Sequence, residues 1–64
     1  MLTYTARESS VDYLLDIADK KKLTLEQVFS NSSLIRSARL FGKHKKDKTV
    51  KIIIINNKIE KKYV

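Results

Sequence analysis

The sequence predicts a small α+β domain in which three short helices precede a carboxyl-terminal β-hairpin, joined by a short amino-terminal strand. Three observations predict it. Apolar residues recur at helical spacing between positions 11 and 41, the last third is rich in β-branched residues, and two adjacent asparagines divide that last third. A chain of 64 residues has room for one domain, spanning residues 1–64, with a small core.

A strand and a helix are expected first. Residues 2–5 (Leu-Thr-Tyr-Thr) alternate in polarity, which favours a short strand. Residues 9–12 (Ser-Ser-Val-Asp) have the form of a capping box, so helix 1 is expected to begin near Ser9. An apolar stripe at i, i+3, i+4 and i+7 follows. Three lysines at 20–22 close this helix where positive charge suits the macrodipole.

Helix 2 is short and begins with a second capping box at residues 24–27 (Thr-Leu-Glu-Gln). Its inward side chains are expected to be Leu25, Val28 and Phe29. Residues 30–33 (Ser-Asn-Ser-Ser) then interrupt the pattern, because these residue types prefer caps and turns.

Helix 3 is expected from Ser32 to about Phe41. Gly42, the single glycine of the chain, then stands where a left-handed C′ residue commonly ends a helix. The inward side of this helix is expected to hold four residues: Leu34, Ile35, Ala38 and Phe41.

The last third predicts two strands, residues 49–55 and 58–64, joined by a two-residue turn at the asparagines. With that turn, one face of the hairpin covers the helices. Its expected members are Val50, Ile52, Ile54, Ile59 and Tyr63. Ile53 and Ile55 fall on the opposite face, where two exposed isoleucines are a liability. A homodimer formed through this hairpin would cover them, and so would pairing with the amino-terminal strand.

Charge is distributed unevenly along the chain. Residues 1–30 hold four basic and five acidic side chains, whereas residues 31–64 hold ten basic and two acidic ones, within a formal net charge of +7. A polarised excess of positive charge creates a one-sided potential, as in proteins that bind polyanions. Nucleic acid is therefore the first partner to consider.

The outward side of helix 3 is the principal candidate for that contact. A line along it, at about 100° per residue, holds four polar or basic residues: Ser32, Arg36, Arg39 and Lys43. Arginine can pair with two guanine acceptors in the major groove, and serine can bond base edges or phosphates. Free backbone N–H groups in the first turn would suit a phosphate. The candidates for base or groove contact are Ser32, Ser33, Arg36, Ser37 and Arg39; the alternative is a solvated basic face.

A basic loop separates helix 3 from the hairpin. The candidates for phosphate contact are four lysines of this region and one earlier arginine: Lys43, Lys45, Lys46, Lys48 and Arg7. Each lysine that neutralises a phosphate should steepen the salt dependence of binding. The alternative is a solvated turn that keeps the isoleucine strand soluble.

Other function classes lack their sequence signals. The chain has no cysteine, one histidine (His44) and no glycine-rich phosphate loop, so we expect no metal, cofactor, small-molecule substrate or catalytic role. Acidic residues along helix 1 are expected to form a solvated face, although they could also dock a basic partner. The longest apolar run, residues 52–55, is far short of a membrane span. These features together favour a cytoplasmic protein that does not contact membranes.

The order of elements resembles that of Cro-type repressors among small phage- and plasmid-type DNA-binding proteins. The resemblance lies in the helix–turn–helix outline of residues 24–41, a helix ending in glycine at 33–42, and the hairpin at 50–57. It implies sequence-specific binding of duplex DNA by a transcriptional regulator, with Ile35 and Ala38 facing inward from the recognition helix.

A winged-helix arrangement, with residues 23–24 as a stub strand and the hairpin as the wing, is similar too. That arrangement implies an excisionase-like recombination or architectural factor. Two further alternatives stay open. The basic face could bind an acidic protein, as a small inhibitor would, or the sheet could bind RNA, for which Tyr63 is the one aromatic candidate.

Overall fold

The computed structural model describes residues 2–64 and confirms the α+β class. Three helices pack on one face of a three-stranded antiparallel sheet. In chain order the elements are β1 (Leu2–Arg7), α1 (Glu8–Lys21), α2 (Leu25–Ser30), α3 (Ser32–Gly42), β2 (Thr49–Ile55) and β3 (Lys58–Tyr63).

The hairpin has the predicted register. Ile54 pairs with Ile59 and Val50 pairs with Tyr63 across β2 and β3. Asn56 and Asn57 both have positive φ, 51° and 61°, which is the geometry of a two-residue hairpin turn of the favoured twist. Asparagine tolerates this region of backbone space better than most residues. The asparagine pair therefore fixes which side chains of both strands face the helices.

The amino-terminal strand is also confirmed, and it pairs with β2 rather than with the end of the chain. β2 is the central strand of the order β1-β2-β3. Leu2 pairs with Ile54 and Ala6 with Val50. The winged-helix alternative is wrong in one respect, since residues 23–24 form no strand and the third strand comes from the amino terminus.

A single core lies between the sheet and the helices. Alternate residues of β2 are fully buried, and the ring of Phe29 on α2 meets Tyr4 on β1 with centroids 5.5 Å apart. The buried apolar set is Val11, Leu14, Ala18, Val28, Phe29, Ala38, Val50, Ile52 and Ile54. All of the predicted inward residues of β2 belong to this set.

The predicted capping box of helix 1 is wrong. α1 begins at Glu8, immediately after β1, and its N-cap residue Arg7 makes no side-chain cap hydrogen bond. The loop before β2 performs the capping instead. The Ser9 N–H donates to the Asp47 carboxylate, and the Glu8 N–H donates to the Lys48 carbonyl at 2.9 Å. Because β1 runs directly into α1, no preceding turn is available to place a serine at the N-cap.

Local capping signals hold for the other two helices. Thr24 and Gln27 form the predicted reciprocal box at the start of α2. Asn31 alone separates α2 from α3, and its side-chain oxygen accepts the N–H groups of Ser33 and Leu34 at 3.0 and 3.2 Å. The two helices are therefore joined by one extended residue.

The interpretation of Gly42 as a C′ residue is wrong. Gly42 is the last residue of α3, is buried, and does not have positive φ. A Cβ there would lie 2.4 Å from the Ser10 hydroxyl oxygen and 3.2 Å from that of Ser9. The Ser10 hydroxyl is itself buried and donates to the Ala38 carbonyl at 2.9 Å. Glycine is needed because α1 and α3 approach closely at this point.

Phe41 departs from its predicted inward position. Its side chain is 48% exposed, while its ring packs against Tyr13 of α1 with centroids 5.2 Å apart. The inward side of α3 is narrower than expected, and its last inward residue is Gly42, where α3 approaches α1 closely. Leu34 and Ile35 are half-buried and Ala38 is fully buried, as predicted.

Candidate nucleic-acid interface

The outer side of α3 covers more than half of the helix circumference. At about 100° per residue, the inward residues Leu34, Ile35, Ala38 and Gly42 occupy an arc of only about 100°. The remaining arc is exposed. The four residues of the predicted stripe, Ser32, Arg36, Arg39 and Lys43, all lie within it and are exposed. The structure thus leaves both arginines free to meet a ligand.

The acidic residues of α1 lie on a different flank. α1 faces α3 with Ser10, which donates to Ala38, and with Tyr13, which packs on Phe41. Asp12 projects on the other side of α1, where it accepts from Lys61 of β3 at 3.4 Å. Glu8 likewise accepts from the Tyr63 hydroxyl of β3. The acidic side of α1 therefore points toward β3 and away from α3.

Ion pairs follow the same division. Among residues 2–64, three pairs form, and all belong to α1 and β3: Lys20–Asp16 at 3.0 Å, Lys61–Asp12 at 3.4 Å and Lys62–Glu60 at 4.0 Å. Within that described range, neither α3 nor the loop of residues 43–48 forms an ion pair. In the part of the chain that the structure describes, the arginines of α3 and the lysines of this loop thus have no carboxylate partner within 4 Å.

The basic loop is held at both ends. Near its start, the Arg7 guanidinium donates to the carbonyls of Gly42 at 3.3 Å, Lys43 at 3.4 Å and Lys45. Near its end, Asp47 accepts the Ser9 N–H. Carbonyls at a helix C-terminus lack partners within the helix, and a cation there also suits the macrodipole. Arg7 is therefore engaged in positioning the loop.

Asp47 is the one acid of the basic loop, and its ionised form is favoured. The side chain and the backbone N–H of Ser9, together with the positive charge of Arg7, hold the pKa of the Asp47 carboxyl below its ordinary value. Its negative charge is directed to the start of α1, where it suits the positive end of the helix dipole. Among residues 2–64, none of the loop lysines forms an ion pair with Asp47.

The loop lysines are exposed, and two of them sit over aromatic rings. The Lys45 ammonium lies 5.2 Å from the centre of the Phe41 ring, and that of Lys48 lies 5.9 Å from the centre of the Tyr63 ring. Such cation–π contacts are weak at exposed sites, but they restrict where the ammonium groups lie. Lys43 and Lys46 project into solvent beside them, and the neighbouring His44 is exposed as expected.

The first turn of α3 offers less to a phosphate than expected. Two of its backbone N–H groups, those of Ser33 and Leu34, are already bonded to the Asn31 side chain. The hydroxyl-bearing side chains of Ser32, Ser33 and Ser37 remain exposed. Contact with a ligand at this end of the helix would therefore come from side chains rather than from free backbone groups.

Two residues of this region were not singled out from the sequence. Leu40 is 65% exposed and lies one helical turn beyond Arg36 on the outer arc. The sequence could have predicted its exposure, because a leucine four residues after an outward arginine also faces outward on a helix. Asp47 and its contact with Ser9, 38 residues away in sequence, left no such signal.

The outer face of the sheet is a second surface of interest. Ile55 is 49% exposed and Ile53 is half-buried there, and a shallow groove at the hairpin tip runs past both. Lys51 and Lys62 lie directly opposite each other on the same face. Like charges in that arrangement disfavour the pairing of their strands.

Comparison of the chain with protein-family models, curated proteins and solved structures finds no match. In the stretch from Leu2 to Val64, no cluster of three or more acidic or histidine side chains is placed to hold a metal ion. None of the helices described is both long and apolar enough to cross a membrane.

Proposed function

We propose that this chain binds duplex DNA through α3 and the loop of residues 43–48, as a small sequence-specific regulator. One observation supports the proposal most directly. Among residues 2–64, the three ion pairs all lie in α1 and β3, and the cations of α3 and the loop form none. An unpaired, one-sided cluster of arginine and lysine is the electrostatic requirement for binding the phosphate backbone.

In this proposal α3 lies in the major groove, with its exposed outer side facing the bases. Arg36 and Arg39 reach base edges, where a guanidinium can bond guanine O6 and N7 together. The exposed side chains of Ser32, Ser33 and Ser37 bond bases or phosphates near the start of the helix. The loop lysines contact phosphates on one side of the groove and set the register. Arg7 acts through the loop, by holding the carbonyls of α3 and the loop in place.

A homodimer formed through the hairpin is part of the proposal. Ile53 and Ile55 would meet their copies on the outer sheet face, and a two-fold dimer would present two α3 helices to a palindromic site. A stable interface buries about 800 Å² per partner, so neighbouring sheet residues must also contribute. Sedimentation should show a dimer for the natural chain and a monomer for Ile55→Lys. A monomer of the natural chain at high micromolar concentration would remove this part.

Two biological roles are consistent with such binding. A transcriptional repressor would occupy an operator alone, whereas an excisionase-like factor would bind beside a recombination site and alter its architecture. Both place the same residues against DNA. Measuring the bend that the chain induces in a bound duplex separates them, because an architectural role requires deformation.

A different partner class is favoured by one observation. Leu40 and Phe41 are 65% and 48% exposed on the same helix that bears the arginines. Exposed aromatic side chains next to arginine are typical of the centre of a protein–protein interface, and Leu40 would add apolar area to such a patch. An acidic protein that packs on this patch is therefore the second candidate partner.

Two matched sets of substitutions test the proposal. One set replaces Lys43, Lys45 and Lys46 of the loop by glutamine. The control set replaces Lys20, Lys61 and Lys62, the ion-paired lysines, by glutamine as well. Each set removes three positive charges. Binding of a generic duplex is then titrated at several salt concentrations, with single-stranded RNA as a second probe.

The two sets are expected to differ sharply. The loop set should reduce the slope of log K against log salt concentration by up to about 0.9 for each phosphate that is no longer neutralised, whereas the control set should leave it close to that of the natural chain. Equal losses in both sets would show that binding follows net charge alone, against a located interface. Tighter binding of RNA would favour the RNA alternative, and no binding at low salt would favour an acidic protein.

A further inference from the structure

Leu40 is an apolar side chain placed among the polar and cationic groups of the outer arc of α3. It is 65% exposed and is absent from the apolar residues that pack against the core. Phe41, its neighbour, has partial cover from Tyr13 and Lys45. A single exposed leucine is common on protein surfaces, so its meaning depends on what lies around it.

Leu40 lies among the residues of α3 that are proposed above to contact DNA. Four residues separate it from Arg36, so it lies about 40° around the helix and about 6 Å further along the axis. Lys43 follows on the next turn, and Ser33 and Ser37 flank the same arc. Since stacked bases are about 3.4 Å apart, a helix lying along the groove would place Leu40 within about two base pairs of the contact made by Arg36.

The major groove presents one apolar group, the C5-methyl of thymine. The other groups on its floor are hydrogen-bond donors and acceptors, which an aliphatic side chain cannot satisfy. A leucine in this position would thus desolvate polar base edges without compensation, except where a thymine stands opposite. Arginine beside it would favour guanine, so the two side chains would together select a mixed sequence.

We propose that Leu40 contacts the C5-methyl group of a thymine and is a specificity-determining residue of this chain. The proposal rests on the DNA-binding function proposed above and adds the base that this side chain selects. The alternative is that Leu40 contacts the acidic protein partner, in which case its side chain would be buried at the centre of that interface.

The test removes the methyl group from DNA while keeping every hydrogen-bonding group. Preferred sites are selected from a pool of random duplexes with the natural chain. Each thymine of the selected site is then replaced singly by deoxyuridine, and affinities are measured for the natural chain and for Leu40→Ala. Val64→Ala serves as the control, since Val64 is an apolar residue that is 85% exposed and lies outside both the proposed DNA-contacting surface and the proposed dimer contact.

The affinity of the natural chain for its selected site is expected to depend on the methyl group of one thymine. Loss of its methyl group should weaken binding about fourfold, the value of one buried methyl-sized group. Leu40→Ala should bind the thymine site more weakly and should show no further loss with deoxyuridine. Val64→Ala should keep the full discrimination between thymine and uracil. Because Leu40 is exposed, its replacement should leave the helical circular dichroism unchanged.

The possible results separate the role of Leu40 from DNA binding itself. A selected site in which no thymine methyl affects affinity, or in which Leu40→Ala keeps the discrimination, overturns the role of Leu40 and leaves DNA binding standing. Selection that yields no preferred sequence, or no binding of duplex DNA at all, overturns both.

Discussion

The two flanks of this molecule treat charge in opposite ways. The flank formed by α1 and β3 carries both acids and lysines, and three ion pairs form there. On the flank formed by α3 and the loop of residues 43–48, the one acid, Asp47, is directed to the start of α1, and the cations stand without carboxylates within 4 Å among the residues described. Both flanks are solvent-exposed and both contain lysine. α1 and β3 hold five acidic and five basic residues, whereas α3 and the loop hold one acidic and six basic ones. The two flanks therefore differ both in net charge and in pairing, and the unpaired basic flank is the candidate ligand surface.

Removing an arginine from the unpaired flank should have the largest effect. Arg36→Ala is expected to weaken binding of a selected duplex by about 1–3 kcal/mol and to relax the base preference at one position. Lys46→Ala should weaken binding of all sequences alike, because a phosphate contact carries no sequence information. Fluorescence anisotropy with the selected site and single-base variants measures both. An unchanged base preference in Arg36→Ala would refute the recognition role of α3.

The second largest effect is expected at Gly42, where α1 of one flank approaches α3 of the other. Gly42→Ala places a methyl group against the buried Ser10 hydroxyl. Overpacking of about 1–3 kcal/mol should exceed the gain of about 1 kcal/mol that alanine brings to a helix, for a net loss near 1 kcal/mol. Urea unfolding measures this change in the free energy of unfolding.

Removal of the obstructing hydroxyl provides the control for that substitution. In a background of Ser10→Ala, the same change at Gly42 should destabilise much less, because the nearest atom is gone and the Ser9 hydroxyl oxygen, at 3.2 Å, is the one tight contact left. Equal effects of Gly42→Ala in both backgrounds would show that the close approach of α1 and α3 does not require glycine.

Acid should loosen the basic loop by protonating Asp47. Since the pKa of this carboxyl is lowered by Ser9 and Arg7, its contribution to stability is fully present above the ordinary aspartate pKa of about 3.9 and is lost as the pH falls through the lower folded value. The stability difference between the natural chain and Asp47→Asn should therefore shrink below about pH 4.

Urea unfolding at several pH values follows this effect. Asp19→Asn is the matched control, since Asp19 is exposed and, among residues 2–64, takes part in none of the hydrogen bonds or ion pairs described. It should change stability little at any of these pH values. A difference for Asp47→Asn that stays constant down to pH 2 would contradict the capping role.

The smallest effect is expected within the paired flank. The Lys61–Asp12 pair is exposed on its acidic side, with an Asp12 side chain that is 60% accessible. A double-mutant cycle with alanine at both positions should give a coupling of about 0.2–1 kcal/mol that fades in high salt. DNA affinity should not change in either single variant. A loss of affinity comparable to that of Lys46→Ala would break the distinction between the two flanks.

The hairpin shows why part of this fold was predictable. A run of β-branched residues and two adjacent asparagines specify strand, turn and register within a short stretch, and the structure has that register. The Thr24 box was equally local, because its hydrogen bonds join residues three apart. The outward side of α3 was predictable too, since helical periodicity alone places Arg36 and Arg39 together.

Other features depended on contacts that no local pattern reveals. Gly42 resembled a helix terminator until the proximity of Ser10 explained it. Arg7 resembled a phosphate ligand, yet its guanidinium bonds carbonyls of residues 35 to 38 positions away. The capping box of α1 was mispredicted because its capping acid, Asp47, lies 38 residues from Ser9 in sequence.

The sequence by itself determined the order of elements, the turn, and which side chains share each helix or strand face, because torsional preference and periodicity act over neighbouring residues. Only the tertiary structure decided which charges neutralise one another. The partners Lys61 and Asp12, and Glu8 and Tyr63, lie 49 and 55 residues apart. Such distant groups meet only when burial of the apolar core brings β3 beside α1. Among residues 2–64, the same packing leaves the cations of α3 and its loop without an ion-pair partner.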